Sequence, residues 1–233
     1  MQSFPPGGVA AVFGASGGLG RAFVAHLEAS GAFDQVFAFS RAGTPPVDVT
    51  DEAAVAAAVQ MAAEAGPLRL VVNASGFLHD GRFGPEKSWR AIDPAHMARA
   101  FAVNAIGPAL ILKHALPALP RDGKAVAATL SAKVGSIGDN HLGGWHSYRA
   151  SKAAQNQIVR TMAIELGRKR KEAAVVALHP GTTDTALSAP FGKAGLTVRT
   201  PEEAVARLAA VIDRLTPDDN GAFLSHDGSR LPW

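Results

Sequence analysis

Cysteine is absent from the 233-residue sequence, and tyrosine occurs once, at Tyr148. Without cysteine the chain can form no disulfide and use no thiol chemistry, which suits a reducing compartment, so we expect a cytoplasmic protein. The first residues, Met1–Pro6, lack the charged region and apolar run of a secretory signal. No apolar run approaches the roughly 18 residues that a membrane-spanning helix needs, so no membrane partner is expected.

Charge is also scarce, because charged residues make up 18% of the chain and the formal net charge is only +3. So small a net charge does not favour nucleic acid as a partner. The one basic run, residues 168–171, follows a predicted helix, where cations complement the helix dipole, and we interpret it as a solvated helix end. The eight histidines show no metal-ligand spacing, so no metal is expected.

What the sequence does contain is an alternation of short apolar strands with amphipathic helices. This alternation indicates a parallel sheet covered by helices on both faces. The length suffices for one full-sized core, and there is no repeat or linker. We therefore predict an α/β fold, a Rossmann-type doubly wound parallel sheet, as a single domain over residues 1–233. The strands are expected at residues 9–13, 35–39, 68–72, 124–130, 173–178 and 221–225.

A glycine-rich turn, Gly14–Gly20, joins the first strand to the first helix, which is predicted to end at Gly31. Glycine lets the backbone turn tightly and approach a ligand closely, while the helix N-terminus presents unpaired N–H groups. A pyrophosphate is the usual occupant of such a turn. The alternative is a turn that serves packing alone.

The second strand ends at Ser40-Arg41, with no acidic residue at that point. An NAD site would place an acid there to bind the ribose 2′-hydroxyl, whereas a guanidinium suits the 2′-phosphate of NADP. The pattern favours NADP over NAD, and the alternative is an ordinary surface arginine. Asn73–Gly76 follows the third strand and is expected at the same edge of the sheet.

Tyr148 and Lys152 are four residues apart on a predicted helix, which places their side chains one turn apart. A phenol with a pKa of about 10 is a poor acid–base group at neutral pH, and an adjacent ammonium lowers that pKa. We therefore predict that Lys152 lowers the pKa of Tyr148. Alone, the pair is also consistent with an ordinary tyrosine and lysine on a helix, so its meaning depends on a cofactor site.

Two further features lie in the middle helix and after the fifth strand. Pro108 has no N–H, so the carbonyl of Asn104 loses its helical partner, and we expect a kink and a candidate water-binding site there. Residues 182–198 show little periodicity and are a candidate lid.

Six motifs stand in order along the chain: the glycine turn, Asn73–Gly76, Asn104, a serine before the tyrosine, Tyr148–Lys152 and Pro180–Gly181. Together they resemble the short-chain dehydrogenase/reductase family over nearly the whole chain. The stretch from Val134 to Lys152 is similar in particular to the C-factor-like and sniffer-like carbonyl reductase branch.

The resemblance implies a set of cofactor contacts. The adenosine 2′-phosphate would contact Arg41, and the adenine would contact Asp48 and Val49. The pyrophosphate and the adjoining ribose would contact Gly14, Ser16, Gly18, Leu19 and Gly20. The middle of the cofactor would meet Asn73, Ala74 and Gly76, and the nicotinamide would meet Pro180, Gly181 and Thr182. By the same resemblance Tyr148 is the proton donor, Lys152 holds the nicotinamide ribose, and a water on the Asn104 carbonyl links Lys152 to solvent.

One departure from the family concerns the serine that polarises the substrate carbonyl. In the family it usually stands three residues before the glycine that aligns with Gly135, and here that residue is Ala132. Ser131 is one residue away, on a strand whose neighbouring side chains point to opposite faces, and Ser136 lies beyond the glycine. Either serine takes the role or the hydroxyl is missing, and we favour Ser131.

Two functions compete at this stage. The first is an NADP-dependent oxidoreductase that transfers a hydride between nicotinamide and a small carbonyl or alcohol substrate, as a homodimer or homotetramer. The second is a cofactor-binding signalling or sensor protein of the C-factor type with little turnover, motivated by Ala132. Turnover of NADPH against a panel of carbonyl compounds distinguishes them.

Overall fold

A computed structural model describes residues 1–188, 195 and 197–233. Six parallel strands form one sheet in the order β2-β1-β3-β4-β5-β6. This order confirms the predicted doubly wound parallel sheet, because the chain reverses direction across the sheet after β2. The strands are β1 Val9–Phe13, β2 Gln35–Phe39, β3 Leu68–Asn73, β4 Ala125–Leu130, β5 Ala173–His179 and β6 Phe223–Ser225.

The α-helices cover both faces of the sheet. Two of them, α1 and α6, pack on one face, and α2, α4 and α5 pack on the other. Every residue of β1 and β4 is buried, which explains why these strands are apolar without alternation. The helices are α1 Gly18–Ser30, α2 Glu52–Ala65, α3 Pro94–Phe101, α4 Gly107–Ala118, α5 His146–Gly167 and α6 Pro201–Arg214.

The starts of the helices show how local sequence sets their bounds. The side chain of Asp93 accepts from the N–H of His96 at the start of α3, and Thr200 and Glu203 form a capping box on α6. Thr50 is a residue type typical of helix N-caps, and from the sequence alone we expect it to cap α2, but it does not do so. Asp51 caps that helix, and Thr50 donates its hydroxyl to Asp48 at 2.7 Å.

The middle helix is interrupted where Pro108 predicted an interruption. A π-helical turn, Ala102–Ile106, joins α3 to α4 and widens the backbone around Asn104. By length and composition the continuous stretch Pro94–Ala118 is long and apolar enough to span a membrane, but half of its apolar window is buried inside the protein. It is therefore a core helix of this fold.

Candidate active site

The predicted site residues gather at one edge of the sheet, beyond the carboxyl ends of the parallel strands. The glycine turn follows β1, Arg41 follows β2, and Asn73 ends β3. Ser131 follows β4, and Pro180–Thr182 follows β5. Loops from five strands thus meet where ligands bind in open α/β sheets.

The glycine turn is packed too tightly for side chains at two positions. Gly14 has φ +77°, and a Cβ there would lie 2.6 Å from the backbone N of Ser75. A Cβ on Gly20 would lie 2.1 Å from the carbonyl oxygen of Gly14. Glycine is therefore required at Gly14 for the turn to pass the loop after β3, and at Gly20 for α1 to start close to the turn.

A cavity of about 180 Å³ lies beside this turn. Seven predicted cofactor residues line it: Gly14, Ser16, Arg41, Asp48, Val49, Ala74 and Gly76. Gly18, Leu19 and Gly20 form the first turn of α1 beside it. Asn73, Tyr148, Lys152 and Pro180–Thr182 do not line this cavity and lie further along the same edge.

The cavity carries two guanidinium groups, of which the sequence indicated only one. Arg41 is exposed on the loop after β2, and Arg99 reaches the cavity from α3. Hydrogen bonds from the N–H and hydroxyl of Thr50 hold the pKa of Asp48 below its ordinary value, and both arginines lower it further. Arg99 also lies 5.8 Å above the ring of Phe77. No motif marked Arg99, because its position depends on where α3 crosses the strand ends.

Asn73 supplies a buried donor with no partner among the described residues. Its Oδ1 accepts from the N–H of Ser75 at 3.0 Å and from the Ser75 hydroxyl at 2.6 Å, while its Nδ2 makes no hydrogen bond there. A buried unpaired donor is costly unless a ligand or water satisfies it. The glycine turn, the cationic cavity and this donor together fit a dinucleotide.

Tyr148 and Lys152 lie in the first two turns of α5, and both side chains are buried. The Lys152 Nζ lies 5.9 Å from the centre of the Tyr148 ring and donates to the Leu130 carbonyl at 2.8 Å and to Gln155 Oε1 at 2.9 Å. In the described part of the chain the Tyr148 hydroxyl makes no hydrogen bond. The pair is thus one turn apart, as predicted, but the ammonium does not bond to the phenol.

The predicted lowering of the Tyr148 pKa is therefore wrong for this state of the protein. Burial raises the pKa of Tyr148, because the phenolate would be desolvated. Burial also lowers the pKa of Lys152 to about 7. The sequence correctly placed the ammonium near the ring, and it could not show that a strand carbonyl and an amide would bind that ammonium.

Asn104 is fully buried in the π turn. Its Oδ1 accepts from the N–H of Phe77 at 2.7 Å, and its Nδ2 donates to the Phe77 carbonyl at 2.7 Å and to Ser151 Oγ at 3.0 Å. The side chain thus fastens the loop after β3 to α5. The role of its backbone carbonyl in holding a water stays a prediction.

Neither candidate serine bonds to Tyr148. The Ser131 hydroxyl donates to Asn156 Oδ1 at 2.7 Å, and Asn156 is eight residues beyond Tyr148 on α5, about 12 Å along the helix axis. The Ser136 hydroxyl donates to the carbonyl of Trp233 at 3.3 Å. Both hydroxyls therefore make structural bonds in the cofactor-free protein. Which residue polarises the substrate carbonyl stays a prediction, and these bonds favour the alternative in which the hydroxyl is missing and Ala132 holds the family's position.

The segment after β5 is only partly within the described residues. Arg199 donates its N–H to the Thr182 carbonyl at 3.0 Å, which closes the base of the predicted lid. The lid prediction, residues 182–198, otherwise falls partly on residues 189–194 and 196, which lie outside the described residues. Gly181 has φ +77°, and a Cβ there would lie 2.6 Å from the His226 ring.

A buried carboxylate that the sequence did not reveal fixes the start of α5. The Glu86 side chain is 1% exposed, and it accepts hydrogen bonds from the N–H and the hydroxyl of Ser147, which precedes Tyr148. His96 Nδ1 lies 3.4 Å from Glu86 Oε1. Burial raises the pKa of Glu86, but the hydrogen bonds from Ser147 and from the Glu86 backbone, together with the nearby His96, hold the pKa below its ordinary value. Glu86 stands in a loop without periodicity, so no pattern marked it.

The fold and the site together define a Rossmann-like α/β protein whose glycine turn and adjacent cavity suit a dinucleotide. Residues 14–223 match the short-chain dehydrogenase family model described as enoyl-(acyl carrier protein) reductase. The chain therefore belongs to the short-chain dehydrogenase/reductase family of oxidoreductases.

Relatives within the family are similar over most of the chain. The C-signal protein of Myxococcus xanthus is 34% identical over 172 residues, which cover 72% of this chain and 94% of that protein. A 1-hydroxy-2-glutathionyl-2-methyl-3-butene dehydrogenase of Rhodococcus sp. (strain AD45) is 34% identical over 190 residues, which cover 81% of this chain and 79% of that protein.

Solved structures show the same fold. The NADPH-bound carbonyl reductase from chicken fatty liver superimposes with a TM-score of 0.84 at 28% identity, covering 98% of this chain and all of that one. The carbonyl reductase Sniffer of D. melanogaster gives a TM-score of 0.82 at 21% identity with the same coverage, which shows the fold alone.

Proposed function

We propose that this protein is an NADP-dependent oxidoreductase that transfers a hydride between nicotinamide and a small carbonyl or alcohol substrate. The observation that carries the proposal is the placement of Tyr148 and Lys152 on the same edge of the sheet as the glycine turn and the cationic cavity. The carbonyl reductase from chicken fatty liver, 28% identical, is NADPH-bound, and the Rhodococcus relative is a dehydrogenase. Both support this class of reaction.

The chain's own residues divide the work by their chemistry. NADP(H), when bound, supplies or accepts the hydride. The Tyr148 phenol is protonated at neutral pH, so its hydroxyl is available to donate a proton to the carbonyl oxygen. Burial raises its pKa in the cofactor-free protein, so it becomes an effective acid only if the bound cofactor or substrate lowers that pKa. Lys152, with a pKa of about 7, can take up or release a proton at neutral pH and can hold the nicotinamide ribose. Tyr148 therefore suits the role of proton donor, and Lys152 suits the role of the group that returns a proton to it.

The cofactor preference rests on the charge of the cavity. Arg41 and Arg99 both line it, while Asp48 is already bonded to Thr50. Two guanidinium groups favour an additional phosphate at the adenosine end, because arginine binds phosphate through paired N–H donors. NADP is therefore preferred over NAD.

Turnover against a carbonyl panel tests the proposal. The purified protein is mixed with NADPH and with ketones, aldehydes and quinones in turn, and loss of the reduced nicotinamide absorbance is followed. At least one class should be reduced at a rate that Tyr148→Phe abolishes. If no class is reduced although NADPH binds, the reductase proposal is wrong.

A second candidate function is a cofactor-binding signalling protein with little turnover. The M. xanthus relative is named C-signal, and here both candidate serines are bonded elsewhere while Ala132 holds the family's serine position. Tight NADPH binding without turnover of any carbonyl class would favour this second function.

We also propose a single NAD(P)-binding domain with a lid near residues 182–198, in a cytoplasmic homodimer or homotetramer. A groove of about 880 Å³ between α4 and α5 is the candidate contact surface, because Leu112, Leu116, Met162 and Leu166 line it. The other lining residues include five basic side chains and one acidic one, so a partner surface would also have to accommodate these charges. Light scattering of the purified protein measures the oligomeric state directly. A monomer at micromolar concentration would contradict this part of the proposal.

A further inference from the structure

A small polar cluster is buried beneath Tyr148, where α5 packs on β4. It consists of Lys152 and Gln155 on α5 and of Thr129 and the Leu130 carbonyl on β4. The exposed fractions of Lys152, Gln155 and Thr129 are 2%, 0% and 1%. Gln155 shares its face of α5 with Val159 and Ala163, one and two turns on, both of which are buried apolar residues. An amide at such a position is unexpected unless its hydrogen bonds are satisfied.

The hydrogen bonds of Gln155 fix the orientation of its amide. Its Nε2 lies 3.2 Å from the Leu130 carbonyl, which can only accept, and 2.6 Å from the Thr129 hydroxyl. The nitrogen must therefore face β4, which turns Oε1 toward the Lys152 Nζ at 2.9 Å. An ammonium can only donate, so the two assignments agree. Thr129 and Leu130 thus hold the amide in the one orientation that accepts from Lys152.

Charged groups do not explain where the ammonium lies. Burial alone shifts the pKa of Lys152, and no carboxylate or second cation among the described residues contributes. The groups that face Lys152 are the Tyr148 ring on α5, the Leu130 carbonyl on β4, Gln155 Oε1, and Gly135, where an added Cβ would lie 2.8 Å from the Lys152 Cβ. Two neutral oxygens are therefore its hydrogen-bond acceptors.

We propose that Gln155, oriented by Thr129 and Leu130, is a positioning residue that stabilises the protonated form of Lys152 and holds it beneath the Tyr148 ring in the cofactor-free protein. The inference builds on the proposed function, since it assigns the resting state of the lysine named there. Hydrogen bonding to a charged form stabilises that form, so Gln155 Oε1 opposes the burial that would otherwise deprotonate the lysine. Cofactor ribose hydroxyls would then replace these bonds.

The test measures the titration of Lys152 in the cofactor-free protein by NMR of ¹³Cε-labelled lysine, with the resonance assigned from its loss in Lys152→Met. Gln155→Glu should raise the midpoint by about 1–3 pH units, because it places an opposite charge beside the ammonium. Gln155→Leu should lower the midpoint, because one acceptor is lost. Thr129→Val should lower it less, because the amide stays and only one of the two contacts that orient it is lost.

Two controls show whether a change in the Lys152 midpoint is specific to Gln155. Gln157 is exposed on the same helix, and among the described residues its side chain bonds only to Thr161, so Gln157→Glu and Gln157→Leu should leave the Lys152 midpoint unchanged. Lys124 is half-buried elsewhere, against the carbonyls of Asp213 and Leu215, and its resonance should not move in any Gln155 variant. A Lys152 midpoint that is the same in wild type, Gln155→Glu and Gln155→Leu would overturn the inference.

The titration is independent of turnover, so the two proposals fail separately. If the midpoint moves as expected but no carbonyl is reduced, Gln155 holds the lysine and the reductase proposal is wrong. Where turnover is found, the alkaline limb of kcat/KM for NADPH should move by the same amount and in the same direction as the NMR midpoint. If a Gln155 variant folds normally and shifts the NMR midpoint but leaves the alkaline limb of kcat/KM unchanged, the positioning role is contradicted.

Discussion

At the scale of single residues, the proposed preference for NADP depends on the two guanidinium groups that line the cavity. Arg41 is exposed, whereas Arg99 is partly buried. Arg99 is therefore already partly removed from water before a ligand binds, and Arg41 is not. Hydrogen bonds between charged groups are stronger than those between neutral groups, so each arginine should contribute to the binding of a phosphate.

Arg41→Asp should weaken NADPH binding about 10- to 100-fold and improve NADH relative to NADPH, since a charged hydrogen bond contributes roughly 1.5–3 kcal/mol. Fluorescence titration of both nucleotides measures the change. Arg90→Asp is the matched control, because Arg90 is exposed beside Trp89, outside the cavity. If wild type binds NADH as tightly as NADPH, the preference is wrong.

Single substitutions also test which residue polarises the substrate carbonyl. Ser131→Ala should lower the unfolding free energy by about 1–3 kcal/mol, because Asn156 loses a buried partner, and should leave kcat nearly unchanged. Ala132→Ser should raise kcat, because a hydroxyl at the family's position would stabilise the charge that develops on the carbonyl oxygen. A fall in kcat of about 100-fold in Ser131→Ala would instead restore the role that we first assigned from the sequence.

At the scale of elements, most helix and strand bounds could be predicted, because they depend on local signals. Asp93-Pro94, the Thr200 capping box and Gly31 each mark an end through a bond or dihedral angle within a few residues. Pro108 likewise predicted the interruption at Asn104. The catalytic electrostatics could not be predicted, because Glu86, Arg99 and Leu130 reach the site only through the packing of distant segments.

The start of α5 depends on one such distant contact. Glu86→Gln should lower the unfolding free energy by about 1.5–3 kcal/mol, because Ser147 loses a charged acceptor, and should lower kcat more than it raises KM by loosening Tyr148. Urea denaturation and steady-state kinetics measure the two effects. Glu165→Gln removes an exposed carboxylate on the same helix, and it should change neither the unfolding free energy nor kcat. Equal behaviour of the two variants would contradict the positioning of α5 by Glu86.

At the scale of the whole molecule, the carboxyl edge of the sheet also collects basic groups beyond the cofactor cavity. Burial lowers the pKa of His179 to about 4, and His226, Lys133 and Arg199 lower it further. His226 Nδ1 is buried and has no partner among the described residues. Neither histidine was marked by the sequence, because their proximity depends on the pairing of β5 with β6.

This arrangement predicts how stability depends on pH. His179 is neutral when folded but protonates near its ordinary pKa of 6.5 when unfolded, so its contribution is present above pH 6.5 and is lost as the pH falls toward about 4. The melting temperature should therefore fall over this range, and His179→Gln should make the fall shallower. His141→Gln, an exposed histidine, should not. Parallel curves for wild type and His179→Gln would contradict the assignment.

The central claim, that Tyr148 is the proton donor of a hydride-transfer enzyme, is tested most directly by single-turnover reduction with Tyr148→Phe. NADPH affinity and the unfolding midpoint should match those of wild type, because the ring and its packing are retained. The rate of NADPH oxidation with the best carbonyl substrate should fall about 10²- to 10⁴-fold, the typical contribution of a general acid. A rate within about threefold of wild type, far less than that contribution, would contradict the account.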